Sequence, residues 1–280
     1  MLLITAFVWG IAFAFQRSGL DSVGPLTFMA ARCVLASISL AIVCLVMYKG
    51  DAFKMNKQTI KCGIICGAIL AVANNLQQIG MQYTSAGKAG FITAMYIIIV
   101  PVIGWALFKR RPENKVWVSV VLGVIGLFLL CVKEDFTFTV GDLWVVACSF
   151  TFSAHILTTD YFIDKIEPIK MSFLQFVVCT VLSWVMAFMF EQPSLAGIWD
   201  GRIAIAYCGV ISAGVGYTLQ IVGQKYTKPE TASLVMSMES VFAAVGGWLI
   251  LNEIMSTKEL IGAALMFIAI MIVQIKTKKA

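Results

Sequence analysis

LQQIGMQYT (76–84) and LQIVGQKYT (219–227) stand 143 residues apart and carry Leu, Gln, Gly, Tyr and Thr in the same places. Shifting the whole chain by that distance aligns its two halves without a gap. Phe7 meets Phe150, Asp21 meets Asp164 and Pro25 meets Pro168, while Ala89, Met95, Gly104 and Trp105 meet Ala232, Met238, Gly247 and Trp248. The chain therefore reads as an internal duplication, with one repeat over 1–133 and a second over 144–276.

Composition says what the repeats are made of. Of 280 residues, 60% are hydrophobic and 13% charged, with a mean hydropathy of +0.90. A soluble domain carries about 25% charged residues, so there are too few charges here to cover a water-facing surface. Apolar runs fall at roughly 1–19, 25–48, 59–81, 86–108, 114–132, 141–162, 168–190, 203–224, 230–251 and 258–276. Each approaches the ~20 residues a membrane-crossing helix needs, and lipid-exposed backbone permits only helix. The expected fold is an all-α integral membrane protein of ten transmembrane helices, five per repeat, with no room for a soluble domain. An odd number of spans per repeat inverts the second against the first. That arrangement is shared by many secondary transporters, whose site lies near the midplane where the repeats meet.

The net charge of +6 does not point to nucleic acid, because Lys and Arg lie in short runs between apolar segments. One set of connections holds Lys49, Lys54, Lys57, Lys61, Lys109, Arg110, Arg111 and Lys115, and its continuation holds Lys165, Lys170, Lys225, Lys228, Lys276, Lys278 and Lys279. The other holds Arg17, Lys88, Lys133, Arg202 and Lys258. By the positive-inside bias the richer side is cytoplasmic, which places both termini inside a cell (inner) membrane. Leu2 to Ile11 is apolar and Ala12-Phe13-Ala14 resembles a signal-peptidase site, but no basic stretch precedes it. Cleavage there would also destroy the first member of the repeat, so the first helix is expected to stay. The eight cysteines, nearly all inside apolar runs and without a C-x-x-C pair, read as small hydrophobes.

The stretch LQQIGMQYTSAGKAGFITAMYIIIVPVIGWALFKRRP (76–112) resembles the first-half signature of the EamA-type branch of the drug/metabolite transporter superfamily. Its counterpart, YTKPETASLVMSMESVFAAVGGWLILNE (226–253), resembles the second-half signature, and AARCVLA (30–36) is similar to the part of the second helix that carries the family's Arg. The resemblance spans essentially the full length. It implies a ten-helix transporter, often an exporter of amino acids or related metabolites, with a central cavity lined by helices 1, 3, 4, 6, 8 and 9. One position departs: Ser240 follows Glu239 where the family commonly has proline, so the resemblance carries no proline kink to this site.

Ionisable groups deep in a bilayer cost about 2.5–3.5 kcal/mol each on insertion scales and need a reason. Glu239 lies near the middle of the ninth span, aligned with Tyr96 in the fourth, and is the candidate substrate-ammonium and proton-coupling group. His155, the one histidine, sits in the sixth span; a cavity role competes with that of a satisfied interhelical hydrogen-bonder. Arg32, aligned with Gln175, is expected to pair structurally or to snorkel toward headgroups. Asn74, Gln77 and Gln78 share one face of the third span, and Tyr217, Gln220 and Gln224 one face of the eighth. Such amides glue helices together at roughly 0.6–2 kcal/mol per bond or line an aqueous cavity, and their recurrence in equivalent helices favours a cavity. Trp9, Phe13, Phe152 and Trp248 read as packing or interface residues, with Trp9 also suited to an apolar wall. Gly63 and Gly67 need only close helix packing to explain them. The expected substrate-binding set is Trp9, Asn74, Gln77, Tyr96, His155, Tyr217, Gln220 and Glu239, with helices 5 and 10 peripheral.

No phosphate-cradling G-x-x-x-x-G-K-[ST] is present, and a single histidine makes no H-E-x-x-H zinc site. No cofactor or metal is expected. The partners are a small-molecule substrate, a coupling proton and membrane lipid. An exporter of organic cations or a lipid-linked headgroup is the alternative within transport; an intramembrane enzyme is the alternative outside it.

Overall fold

The computed structural model describes residues 1–84, 86–109, 111–131, 139–251 and 256–275, with the side chains of 86, 108 and 246–251 excepted. The topology markers Arg110, Lys133, Lys276, Lys278 and Lys279 and the side chain of Trp248 lie outside the described residues. Among those described, every regular element is a helix: α1 (Leu2–Gly19), α2 (Pro25–Tyr48), α3 (Lys57–Gly80), α4 (Ala86–Ala94), α5 (Tyr96–Phe108), α6 (Asn114–Cys131) and α7 (Val140–Phe162). There follow α8 (Pro168–Phe190), two short helices α9 (Leu195–Asp200) and α10 (Arg202–Ala206), α11 (Tyr217–Gln224), α12 (Pro229–Met236), α13 (Glu239–Leu251) and α14 (Thr257–Gln274).

Polarity is distributed as it is in a protein solvated by lipid. The exposed side chains include Val46, Leu107, Phe188 and Phe190, whereas Gln16, Arg32, Asn74, Gln77, Gln78, Gln175, Gln220, Gln224 and Glu239 are buried. Nine helices among the described residues are long and apolar enough to cross a membrane. The segment that would make a tenth, Pro229–Leu251, is divided into α12 and α13.

That division recurs between α4 and α5. At both places a main-chain N–H reaches back only three residues, Met95 to the Ile92 carbonyl and Met238 to the Val235 carbonyl, tightening the helix locally. Pro101 in α5 also lacks the N–H an unbroken helix needs. No proline stands at the second break. There the Ser237 hydroxyl donates back to the Leu234 carbonyl at 2.8 Å. The helix is interrupted before Glu239, and Ser240, not a proline, follows it. Between α10 and α11, Tyr207–Gly216 is wound more widely, with i→i+5 geometry.

In packing, α2 lies along α8 and α6 along α14; α3 packs on α7 and α8, and α1 packs on α13 and on the 207–216 stretch, which also meets α2. Gly10 allows the α1–α13 approach, because a Cβ there would sit 2.5 Å from the Glu239 carbonyl oxygen. The bundle is tied at both ends. At one end Lys88 pairs with Asp142, which also accepts from Thr84, and Glu191 accepts the Leu26 and Thr27 N–H groups at the start of α2. At the other, Lys170 donates to the Lys54 carbonyl and Glu113 pairs with Lys228.

Candidate functional site

Where the interrupted helices meet α1, α2, α3, α7 and α11 they line a cavity of about 40 Å³. A single water needs roughly 10–15 Å³ on this measure, so the space suits a few waters and must widen to admit a metabolite. Trp9, Asn74, Gln77, Tyr96, Tyr217, Gln220 and Glu239 all stand on its wall.

Glu239 opens α13 immediately after the break, and Tyr96 opens α5 immediately after the other. The two meet side to side, the Tyr96 hydroxyl donating to Glu239 Oε1 at 3.0 Å, and both are buried. Tyr217 donates to Asn74 Oδ1 at 3.2 Å, and its ring lies 4.7 Å from that of Trp9, whose indole N–H is taken by the Ser212 carbonyl. Gln77 donates to Thr93. Gln220 donates to Gln224, which leaves its own Oε1 without a protein partner; Asn74 Nδ2 is likewise unpartnered.

His155 is placed differently from the other expected residues. It is fully buried one layer behind the cavity, edge-on to the Tyr217 ring at 6.0 Å, with its Nε2 2.9 Å from Gln175 Oε1. It supports Tyr217 instead of facing the cavity. The two amide stripes also split: Gln78 turns to the Gln16 carbonyl and Gln224 to the Ile156 carbonyl, both gluing helices together. Neither α6 nor α14 contributes to the wall.

For Arg32 the sequence left pairing and snorkelling open. It does not snorkel: it is buried, lines the cavity and donates to Gln16 Oε1 at 3.2 Å, and among the described residues no carboxylate lies within ion-pair distance. Ala12, Phe13, Gln16, Thr93, Phe152, Ile156 and Ser212 complete the wall. Gln16 was absent from the expected site because, on a largely apolar first helix, nothing in the sequence tells which face a lone amide takes.

A bundle of long apolar helices with its polar side chains turned inward defines a multi-pass membrane protein. The chain belongs to the EamA-like transporter family, whose model matches residues 1–132 and 139–275. It is 28% identical over 98% of its length, and 85% of the relative's, to a protein of Archaeoglobus fulgidus named an uncharacterized transporter. A Chlamydia muridarum protein named an S-adenosylmethionine/S-adenosylhomocysteine transporter is 32% identical over 33% of this chain and 29% of its own. A solved structure, described only as the crystal structure of a protein, superposes with a TM-score of 0.80 at 15% identity, over 98% of this chain and 95% of that one; it speaks for the fold alone.

Proposed function

We propose that this chain is a secondary transporter that exports small polar or amphipathic metabolites, amino acids among them, by alternating access to the central cavity. The observation that carries the proposal is the Tyr96–Glu239 pair: a buried carboxyl at the interruption of one helix, held by a hydroxyl at the interruption of another. Broken helices around a midplane site are how transporters expose polar groups to a solute inside a bilayer.

The reading rests on ten spans in two inverted repeats, 1–133 and 144–276, with Pro229–Leu251 crossing as a broken tenth helix. Three hydrogen-bonded pairs support it: Tyr96–Glu239, Asn74–Tyr217 and Ser37–Thr180 each join residues 143 apart. Under a pseudo-twofold, a residue touches its own counterpart only on the axis. The α2–α8 and α6–α14 packings likewise join counterparts, and α3 on α7 answers to the 207–216 stretch on α1. The charge bias puts both termini in the cytoplasm of a cell with this protein in its inner membrane.

Organic cations form the second transport class, favoured by the Glu239 carboxyl alone. The test is solute counterflow into liposomes holding only the purified protein, run with amino acids, nucleosides and quaternary amines. Accumulation of a labelled solute without ATP supports the proposal. Chemical conversion of a solute without flux would replace it with an intramembrane enzyme.

A further inference from the structure

We propose that His155, Thr159 and Gln175 are the solute-facing wall of a second state of this protein, in which the cavity leans toward the opposite end of the bundle. The inference rests on the alternating-access reading above. The wall of the cavity is not symmetric. Most of its residues stand there together with their counterpart 143 positions away, as Gln77 does with Gln220 and Tyr96 with Glu239. Five stand there alone: Ala12, Gln16, Arg32, Thr93 and Ser212. Their counterparts, His155, Thr159, Gln175, Met236 and Ile69, are off the wall.

Three of the five share one end of the bundle. Gln16 lies three residues before the end of α1, and Arg32 and Thr93 are each the eighth residue of α2 and α4. All three therefore sit toward the end that Lys88, Asp142 and Glu191 tie. Thr159 and Gln175 hold the matching places in α7 and α8, toward the end where Lys170 donates to the Lys54 carbonyl. When two halves of one fold exchange shapes, an asymmetric arrangement has a partner in which the roles are reversed. In that partner Gln16 and Arg32 are covered, and Thr159 and Gln175 are uncovered.

The covered residues are equipped for that role. Thr159 lies one turn along α7 from His155, and Gln175 Oε1 is 2.9 Å from His155 Nε2, so the three form one polar patch. All three are fully buried, yet His155 Nδ1 and Gln175 Nε2 have no partner in the protein. A buried polar atom left unpaired costs stability, and an apolar side chain avoids that cost, as Ala12 does in the place equivalent to His155. Solute contact in the second state gives these atoms their partners. The patch carries no guanidinium, so Arg32 faces the solute in one state only.

The experiment uses the full-length protein in right-side-out and inverted membrane vesicles. Single cysteines are placed in a cysteine-free background whose solute counterflow matches wild type: Gln16→Cys, its counterpart Thr159→Cys, and Gln175→Cys. A small sulfonated, membrane-impermeant thiol reagent is applied to each face. A residue uncovered in a state populated at about 1% reacts measurably, whereas one enclosed in both states does not. Thr159→Cys and Gln175→Cys should react about tenfold or more faster from the cytoplasmic face than from the outer one, and Gln16→Cys should show the reverse preference. A solute found by counterflow, added on the cytoplasmic face, should slow the first two. If Gln175→Cys does not fold, Thr159→Cys decides. Thr159→Cys silent from both faces, or reacting from the same face as Gln16→Cys, would overturn the second wall and leave transport standing. Reaction that solute does not slow would make the patch a water-filled crevice and overturn its solute contact. No counterflow by the wild type with any solute would overturn the transport reading itself, and the wall with it.

Discussion

The Tyr96 hydroxyl lies 3.0 Å from Glu239 Oε1, and each residue is the first of a helix that restarts after a break. The contact joins α5 to α13 across the cavity, so a change in one broken helix is felt at the other. Tyr96→Phe keeps the ring and removes the bond, at a cost of roughly 1–3 kcal/mol. The expected outcome is a folded protein with several-fold weaker solute affinity and a lower melting temperature, read by binding titration and thermal unfolding. Unchanged affinity would show the bond to be a packing detail.

Gly10 sets the distance between α1 and α13. A Cβ there would lie 2.5 Å from the Glu239 carbonyl oxygen and 2.8 Å from the Ala243 amide nitrogen, both main-chain atoms that cannot swing aside. Gly10→Ala should destabilise by about 1–3 kcal/mol, as overpacking does, and Gly10→Val by more. Thermal unfolding in one fixed detergent checks the order Gly > Ala > Val; Ala equal to Gly would contradict it.

Lys88 and Asp142 close one end of the bundle, with Asp142 fully buried and also bonded by Thr84 and the Thr139 N–H. Lys88→Ala leaves that carboxylate without its cation, a loss of about 3–5 kcal/mol when a pair is well buried. In the proposed orientation this is the outer end. A cysteine placed at Gln77 should then react faster with an external impermeant thiol reagent in Lys88→Ala than in the parent, both built in a cysteine-free background. Equal rates would show that the pair does not govern access.

The other end offers a pH test. Lys228 and Lys115 flank Glu113 and hold its carboxyl down to about 2. A carboxyl lowered on folding contributes stability above its unfolded value, roughly 4.3, and loses it as pH falls toward about 2. Glu113→Gln should therefore leave stability flat between pH 6 and 8, to about the precision of the melt, and flatten only its acid limb. Added salt should erase the difference, since the group is exposed. A Glu113→Gln effect centred near neutral pH would contradict this assignment.

Topology has its own check. Cysteines replacing Lys54 and Lys109 should label only after the membrane is permeabilised, as should one at Lys278, while one at Lys133 should label in intact cells. External labelling at Lys278 would sink the proposed ten-span model with both ends inside.

The helical architecture was legible because burial in lipid writes itself into composition: long apolar runs bounded by Lys, Pro and Gly became helices close to the expected limits. The wall residues Gln77, Tyr96, Gln220 and Glu239 were legible because polar groups in such runs are costly and recurred in register. What the sequence hid was side-chain direction. Arg32 had two ways to lower its cost, outward to headgroups or inward to a partner, here Gln16, and residue type does not choose between them. His155 and Gln78 were misplaced for the same reason, each lying on a helix whose polar residues face more than one neighbour. The break before Glu239 was hidden because no proline marks it in the sequence.

Glu239 is proposed to couple solute movement to an ion gradient, and gradient-driven flux in proteoliposomes tests it most directly. Protonation and solute binding would compete for one carboxyl, which suffices for antiport when the empty, deprotonated carrier returns poorly; the two facing states must differ in stability to supply the coupling. Wild type and Glu239→Gln are reconstituted side by side, given an imposed pH gradient and a labelled solute found by counterflow. Uphill, pH-driven accumulation is expected of wild type and none of Glu239→Gln, with equilibrium exchange by the variant retained in part. Wild-type accumulation by Glu239→Gln would contradict it and leave Glu239 a structural partner of Tyr96.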